Sequence, residues 1–175
     1  TVEGGIRYEP IEGITQWLKG QLAVFAKKYV VKAVSVTTHG SMALGIDKSG
    51  ALAVPPIAYT TDGGEAFSGE FYSTFGSPEE LQVSTCTAQI GSMINVGKVV
   101  YFWKSRFPKQ FAEIEMILNY PQYWGYVLTG KYGADPTYTG CHTYMFDFEH
   151  KKYSHVVEKM GLVGKLPPTI SKSWE

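Results

Sequence analysis

Val31-Lys-Ala-Val-Ser-Val-Thr-Thr-His-Gly-Ser-Met-Ala-Leu-Gly-Ile-Asp-Lys-Ser-Gly-Ala-Leu52 is the stretch on which the reading of the fold turns. Its first part, with Val30 before it, is β-branched and almost continuously apolar. That is the pattern of a strand covered on both faces in a mixed or parallel sheet. A polar His39-Gly40 pair follows, then a second short strand over residues 41–47. Asp47-Lys48-Ser49-Gly50 supplies turn residues, and extended structure resumes from Ala51 to Val54 until Pro55-Pro56 breaks it.

Upstream, apolar residues at Ile11, Ile14, Leu18, Leu22 and Phe25 fall at the three-and-four spacing of a helix that lays one face on a core, predicting a helix over 11–29. A helix feeding a buried strand points to α/β architecture. Downstream, Ile57–Tyr59 ends at the polar segment TTDGGEAFSG, read as a loop at a strand end, where α/β proteins bind ligands. Helices are predicted over 96–106, 109–118 and 121–128, with Pro121 at a first helical position and Gly130 as a stop. A turn-rich connector, KYGADPTYTGCHT, precedes a short helix over 153–160 that ends at Gly161.

The whole chain sets the outer limits. Its 175 residues suit one domain, expected to span 1–175. Sixteen basic residues balance sixteen acidic ones, so no long-range field favours nucleic acid or an anionic membrane. There is no apolar run of membrane-spanning length, and the polar start lacks the pattern of a secretory signal, which leads to an expectation of a cytoplasmic protein. Cys86 and Cys141 form neither a CxxC nor half of a zinc site, so no metal is expected.

Four features in a fixed order resemble the FGGY carbohydrate kinases. VKAVSVTTHGSMALGIDKSGAL is similar to that family's strand, sugar-site loop and D-x-x-G turn. IAYTTDGGEA is similar to its aromatic-x-Asp-x-Arg segment, with Asp62 on the acid and the arginine missing. VGKVVYFWKSRFPKQF resembles a K-x-x-W-x-x-x-x-P helix through Lys98, Trp103 and Pro108, and it is followed by ILNYPQYWGYVLTGKYGADPT, which matches an LTG-and-Asp segment. MGLVGKLPPTI resembles the stretch that closes many N-terminal halves in the family. The matches span residues 30–170.

The resemblance implies a ribonuclease-H-like (actin/hexokinase-like ATPase) N-terminal domain, a mixed sheet with helices, present in incomplete form, and a parent enzyme that uses ATP and Mg²⁺ to phosphorylate a sugar or polyol. Nothing before Ile11 resembles the family's glycine-rich phosphate turn, and its general-base Asp would lie beyond Glu175. The chain is therefore expected to contribute sugar contacts and no catalytic residue, to bind neither ATP nor Mg²⁺ alone, and to be inactive in isolation. His39 can exchange hydrogen bonds with a hydroxyl beside a close-packing Gly40, and Asp62 can accept two hydroxyls. Met93 and Asn95 fall where the family's pocket is also lined. The plainer readings are a loop histidine, a turn-forming Asp62 before Gly63-Gly64, and a gap-filling methionine. Trp103, Tyr123 and Trp124 read as packing residues, Asp135 as a cap, and Cys141-His142 as non-functional.

Two rival classes stand beside this one. A non-catalytic sugar- or protein-binding domain would use the same His39 and Asp62 loops, whereas an unrelated α/β hydrolase using Ser41 or Cys141 lacks a GxSxG elbow. Apolar surface is expected on the C-terminal side, to be covered by a second copy of the chain or by the missing C-terminal half.

Overall fold

A computed structural model describes residues 2–3 and 5–172. In chain order, β1 (Val2–Glu3) and β2 (Ile6–Arg7) form a small hairpin before helix α1 (Ile11–Ala26), and β3 (Ala43–Ile46) follows a long irregular segment. Next come α2 (Gly64–Phe75), α3 (Pro78–Thr85), α4 (Val96–Arg106) and α5 (Pro108–Ala112). The remainder comprises β4 (Met116–Asn119), α6 (Tyr120–Thr129), α7 (Pro136–Thr139), β5 (Phe146–Asp147), β6 (Lys152–Tyr153) and α8 (His155–Met160).

The centre is the antiparallel pair of β3 and β4, in register from Ala43 opposite Asn119 to Ile46 opposite Met116. All eight of these positions are buried, so both faces of the ribbon are covered. On one face lies a large core built on α2, α4 and α8 and centred on Phe71, Val99, Trp103 and Tyr144. On the other, Met42, Leu44, Ile46 and Leu118 pack with Ile11, Tyr120, Tyr123 and Trp124. Trp103 is 0% exposed and donates its indole N–H to the Pro55 carbonyl at 3.0 Å, satisfying the one polar atom it brings inside.

Local chemistry explains where elements start and stop. Ser77 and Glu80 form a reciprocal capping box on α3, and Asp135 caps α7 by accepting from the Thr137 and Tyr138 amides. Gly130 and Gly161 cap α6 and α8 in the left-handed region at φ 71° and 70°, which glycine enters without Cβ strain.

The structure corrects several expectations. Residues 30–36 are not a strand: they run as irregular chain, exposed up to Ser35 with Val30 at 79% and only Val36 packing on the second core, because among the described residues no neighbouring strand lies against them. The first helix ends at Ala26, and Phe25 points to solvent at 51% exposed, since the core reaches only as far along the helix as Ile11, Ile14 and Leu18. The segment opening at Gly64 is no loop but the start of α2, whose Phe67, Phe71 and Phe75 share one buried stripe. The helix expected over 109–118 stops at Ala112, and Met116–Asn119 is the strand that β3 needs. Exposed apolar side chains gather on α1 and the chain after it, at Trp17, Phe25, Tyr29, Val30 and Val34, and others stand at Val83, Tyr132, Phe148 and Val163.

Candidate functional site around His39

The irregular segment after α1 delivers His39 to the rim of the β3–β4 layer. Its ring centroid lies 5.0 Å from that of Tyr59 and 4.8 Å from that of Tyr120, both tilted contacts. The Nδ1 of His39 is 2.8 Å from the Gly40 carbonyl. A carbonyl only accepts, so Nδ1 carries the proton in this arrangement and Nε2 is left as an acceptor. Beside the ring opens a cleft of about 420 Å³ between α1, residues 34–39 and α6, lined by Trp17, Leu18, Val36, Thr38, Tyr120 and Trp124.

Tyr120 opens α6 and is held by its amide donating to the Met42 carbonyl at 3.0 Å. Burial pushes its phenol above the ordinary tyrosine value, and the charge of Glu9 adds to that. The chain from Ile6 to Glu9 runs antiparallel to 56–58. Tyr8 pairs with Ile57, the Glu9 amide donates to the Pro56 carbonyl at 2.9 Å, and the Ala58 amide donates to the Arg7 carbonyl at 2.8 Å. Buried Thr61 closes this edge, accepting from the Arg7 amide at 3.0 Å.

The segment 59–62 joins the residues that the sequence singled out. Tyr59 touches His39, Thr61 accepts from the Met93 amide at 3.1 Å, and Asp62 comes next. Asp62 is exposed, with Oδ1 accepting from the Gly64 amide at 2.9 Å in a turn that opens α2. Met93 is 0% exposed, and a Cβ on Gly63 would stand 2.7 Å from its terminal methyl, so the bare backbone of Gly63 is what lets this loop close over it. Asn95 is also 0% exposed; its amide accepts from the Ile90 N–H at 3.1 Å and donates to the Ala88 carbonyl at 3.0 Å. A Cβ added at Gly40 would meet no heavy atom within 4 Å beyond its chain neighbours, so the space on that side of the backbone is open.

His39 and Asp62 thus lie at the surface on either side of Tyr59–Thr61, while Met93 and Asn95 lie beneath it. Tyr120, whose ring lies against His39, was not singled out by the sequence, where it reads only as the residue before Pro121. Cys86 and Cys141 are free thiols at a separate cleft. Among the described residues no group of three or more His, Cys, Asp or Glu is placed to hold a metal ion, and no helix is long and apolar enough to cross a membrane.

This architecture is the fold seen in solved carbohydrate kinases. Superposition on a carbohydrate kinase from Novosphingobium aromaticivorans gives a TM-score of 0.87 at 22% identity, covering 100% of this chain and 36% of that one. A ligand-bound xylulose kinase from Lactobacillus acidophilus gives 0.81 at 14% identity, covering 100% and 36%. Plasmodium falciparum glycerol kinase with ADP gives 0.77 at 17% identity, covering 95% and 35%. The chain thus spans about a third of the length of the solved kinases it matches. No family model matches its sequence, and no curated protein sequence does either.

Proposed function

We propose that this chain supplies sugar contacts to an FGGY-type carbohydrate kinase, an enzyme that transfers a phosphoryl group from Mg–ATP to a sugar or polyol hydroxyl. The observation that carries the reading is a polar, aromatic-walled rim around His39 in a fold whose solved neighbours are sugar kinases. His39 Nε2 accepts one substrate hydroxyl, with Gly40 leaving room beside it. The free oxygen of Asp62 accepts another, and the two tyrosine faces meet the sugar's C–H surface. Met93 and Asn95 are positioning residues, holding the 88–95 loop against Thr61 so that Asp62 is presented outward.

The phosphate-handling half of the reaction does not fit the residues described. The β1–β2 hairpin turns at Gly5 but has no aspartate of the D-x-G type in or beside it, and among the described residues no carboxylate cluster is placed for Mg²⁺. The role assigned to this chain is therefore sugar binding, with ATP and Mg²⁺ engaged by other parts of a complete enzyme. The bare apolar face of α1 and residues 27–36 supports a second element, from the same enzyme or another copy, lying there.

Isothermal titration of the chain with D-xylulose, glycerol and D-gluconate, with and without Mg–ATP, tests the assignment. The expected result is heat from one of these ligands that His39→Ala removes, and none from Mg–ATP alone. Binding of Mg–ATP by this chain, or a sugar affinity indifferent to His39→Ala, overturns it.

A further inference from the structure

Lys98, in the first turn of α4, is 1% exposed and has no carboxylate partner among the described residues. Its Nζ donates to the Ile90 carbonyl at 2.9 Å and lies 5.1 Å from the centre of the Tyr72 ring. The ring face offsets part of the cost of burying a charge, but an apolar side chain of the same length would fill that space without the cost. Asn95, at the N-terminal cap of α4, makes no side-chain capping bond. The Val96 and Gly97 amides donate instead to the His142 and Thr143 carbonyls, each at 2.9 Å. The Asn95 carboxamide is thereby free to accept from the Ile90 N–H and donate to the Ala88 carbonyl. Ile90 is held on both of its backbone groups by two buried side chains from the start of one helix. The same loop carries Met93, which meets both neighbours of Asp62. Its amide donates to the Thr61 carbonyl at 3.1 Å, and its terminal methyl occupies the space that a side chain on Gly63 would need.

We propose that Lys98 is a positioning residue of the candidate site: it latches the 88–95 loop beneath Thr61–Gly63 and so sets where Asp62 presents its carboxylate to a sugar hydroxyl. The inference rests on the sugar-site reading. Lys98 touches no substrate; it acts through Ile90, the loop and Met93. The residue type follows from the task, since a long side chain is needed to cross from the helix to a carbonyl eight positions earlier, and a charged donor bonds that carbonyl more strongly than a neutral one. Within itself the loop has little to fix its shape. The Ile94 amide reaches the Gly91 carbonyl at 3.4 Å, and Ser92 stands in the left-handed region at φ 53°. Released from Lys98, such a segment opens locally, and Thr61 loses the support of Met93 with it.

The test compares the wild-type chain with Lys98→Met, which keeps the reach and packing of the side chain and removes its donor. Both proteins are followed by amide hydrogen exchange in NMR, by urea denaturation, and by titration with D-xylulose, glycerol and D-gluconate, with His39→Ala titrated alongside. The unfolding midpoint of Lys98→Met should equal or exceed that of wild type, because a charge is no longer buried. The Ile90 and Met93 amides should nevertheless exchange about ten-fold faster, and the ligand that wild type binds should bind about ten-fold more weakly. Unchanged exchange at Ile90 and Met93 overturns the latch. Faster exchange with unchanged ligand affinity, while His39→Ala still abolishes binding, overturns the positioning role and leaves the His39 site standing. No binding by wild type to any of the three overturns the sugar-site reading and the positioning role with it, while the exchange result still decides the latch. If Lys98→Met does not fold, the wild-type protein decides: in nitrogen-edited NMR spectra the Lys98 Nζ protons should exchange slowly and correlate with the Ile90 carbonyl. Exchange as fast as that of exposed lysines overturns the latch.

Discussion

Trp103 and Trp17 are the same residue on two amphipathic helices, and they meet opposite fates. Trp103 is 0% exposed, packed between α2 and the β3–β4 ribbon with its indole N–H bonded; Trp17 is 64% exposed on α1. The helices differ in what lies beside them rather than in their own character. α4 is covered by α2 and α8, whereas α1 has only its Ile11–Ile14–Leu18 edge against the second core and leaves Trp17, Phe25 and the following valines bare. An apolar face is stabilising only where a second surface removes it from water.

The sharpest way to break that contrast is to truncate both tryptophans. Trp103→Ala should cost about 3–5 kcal/mol, the usual penalty for emptying a large core site, whereas Trp17→Ala should stay within about 0.5 kcal/mol. Urea denaturation of the two variants measures both, and similar losses would mean that α1 is as well packed as α4.

Ionisation offers a second test on the buried side. The Tyr138 hydroxyl bonds the Met42 backbone, donating to its carbonyl and accepting from its N–H, and burial pushes its pKa from 10.0 up to about 12. A group whose pKa is raised on folding stabilises the fold fully below its unfolded pKa and loses that contribution as pH climbs through the folded value. Tyr138 therefore contributes about 2–3 kcal/mol that disappears between roughly pH 10 and 12. Denaturation midpoints followed over that range should fall, and Tyr138→Phe should flatten the fall.

The smallest effect on stability belongs to the bare face. Val30→Lys with Val34→Lys should change the unfolding free energy by less than about 1 kcal/mol, because both side chains are already half or more exposed. It should nevertheless reduce binding of an apolar dye and any association of the chain with itself. Dye binding that survives the double substitution would show that the accessible apolar surface lies elsewhere.

Much of the second half was legible in the sequence because its signals are local. Pro121 and Gly130 bracket α6, Gly161 stops α8 and Asp135 caps α7, each through groups within a few residues. Met116–Asn119 misled because a short apolar run has the same look at the end of a helix and in a buried strand; β3, some 70 positions earlier, decided between them. In α2, the Phe67–Phe71–Phe75 stripe was present but masked by the polar Thr60–Gly64 segment before it. At the rim, His39 and Asp62 were visible as polar residues after apolar runs. Tyr120 was not, since only the bond of its amide to the Met42 carbonyl and the fold around it bring its ring to His39.

By itself the sequence determined the helix caps, the amphipathic faces and the ordered set of motifs that point to a sugar-kinase fold, because capping, periodicity and turn chemistry act over a few residues. Tertiary structure alone decided that Val30–Val36 is unpaired chain, that Met116–Asn119 is a strand, that Asn95 is held inside, and that His39 packs against Tyr59 and Tyr120. Those outcomes depend on which surface comes to lie against which, and burial and strand pairing are properties of two segments together.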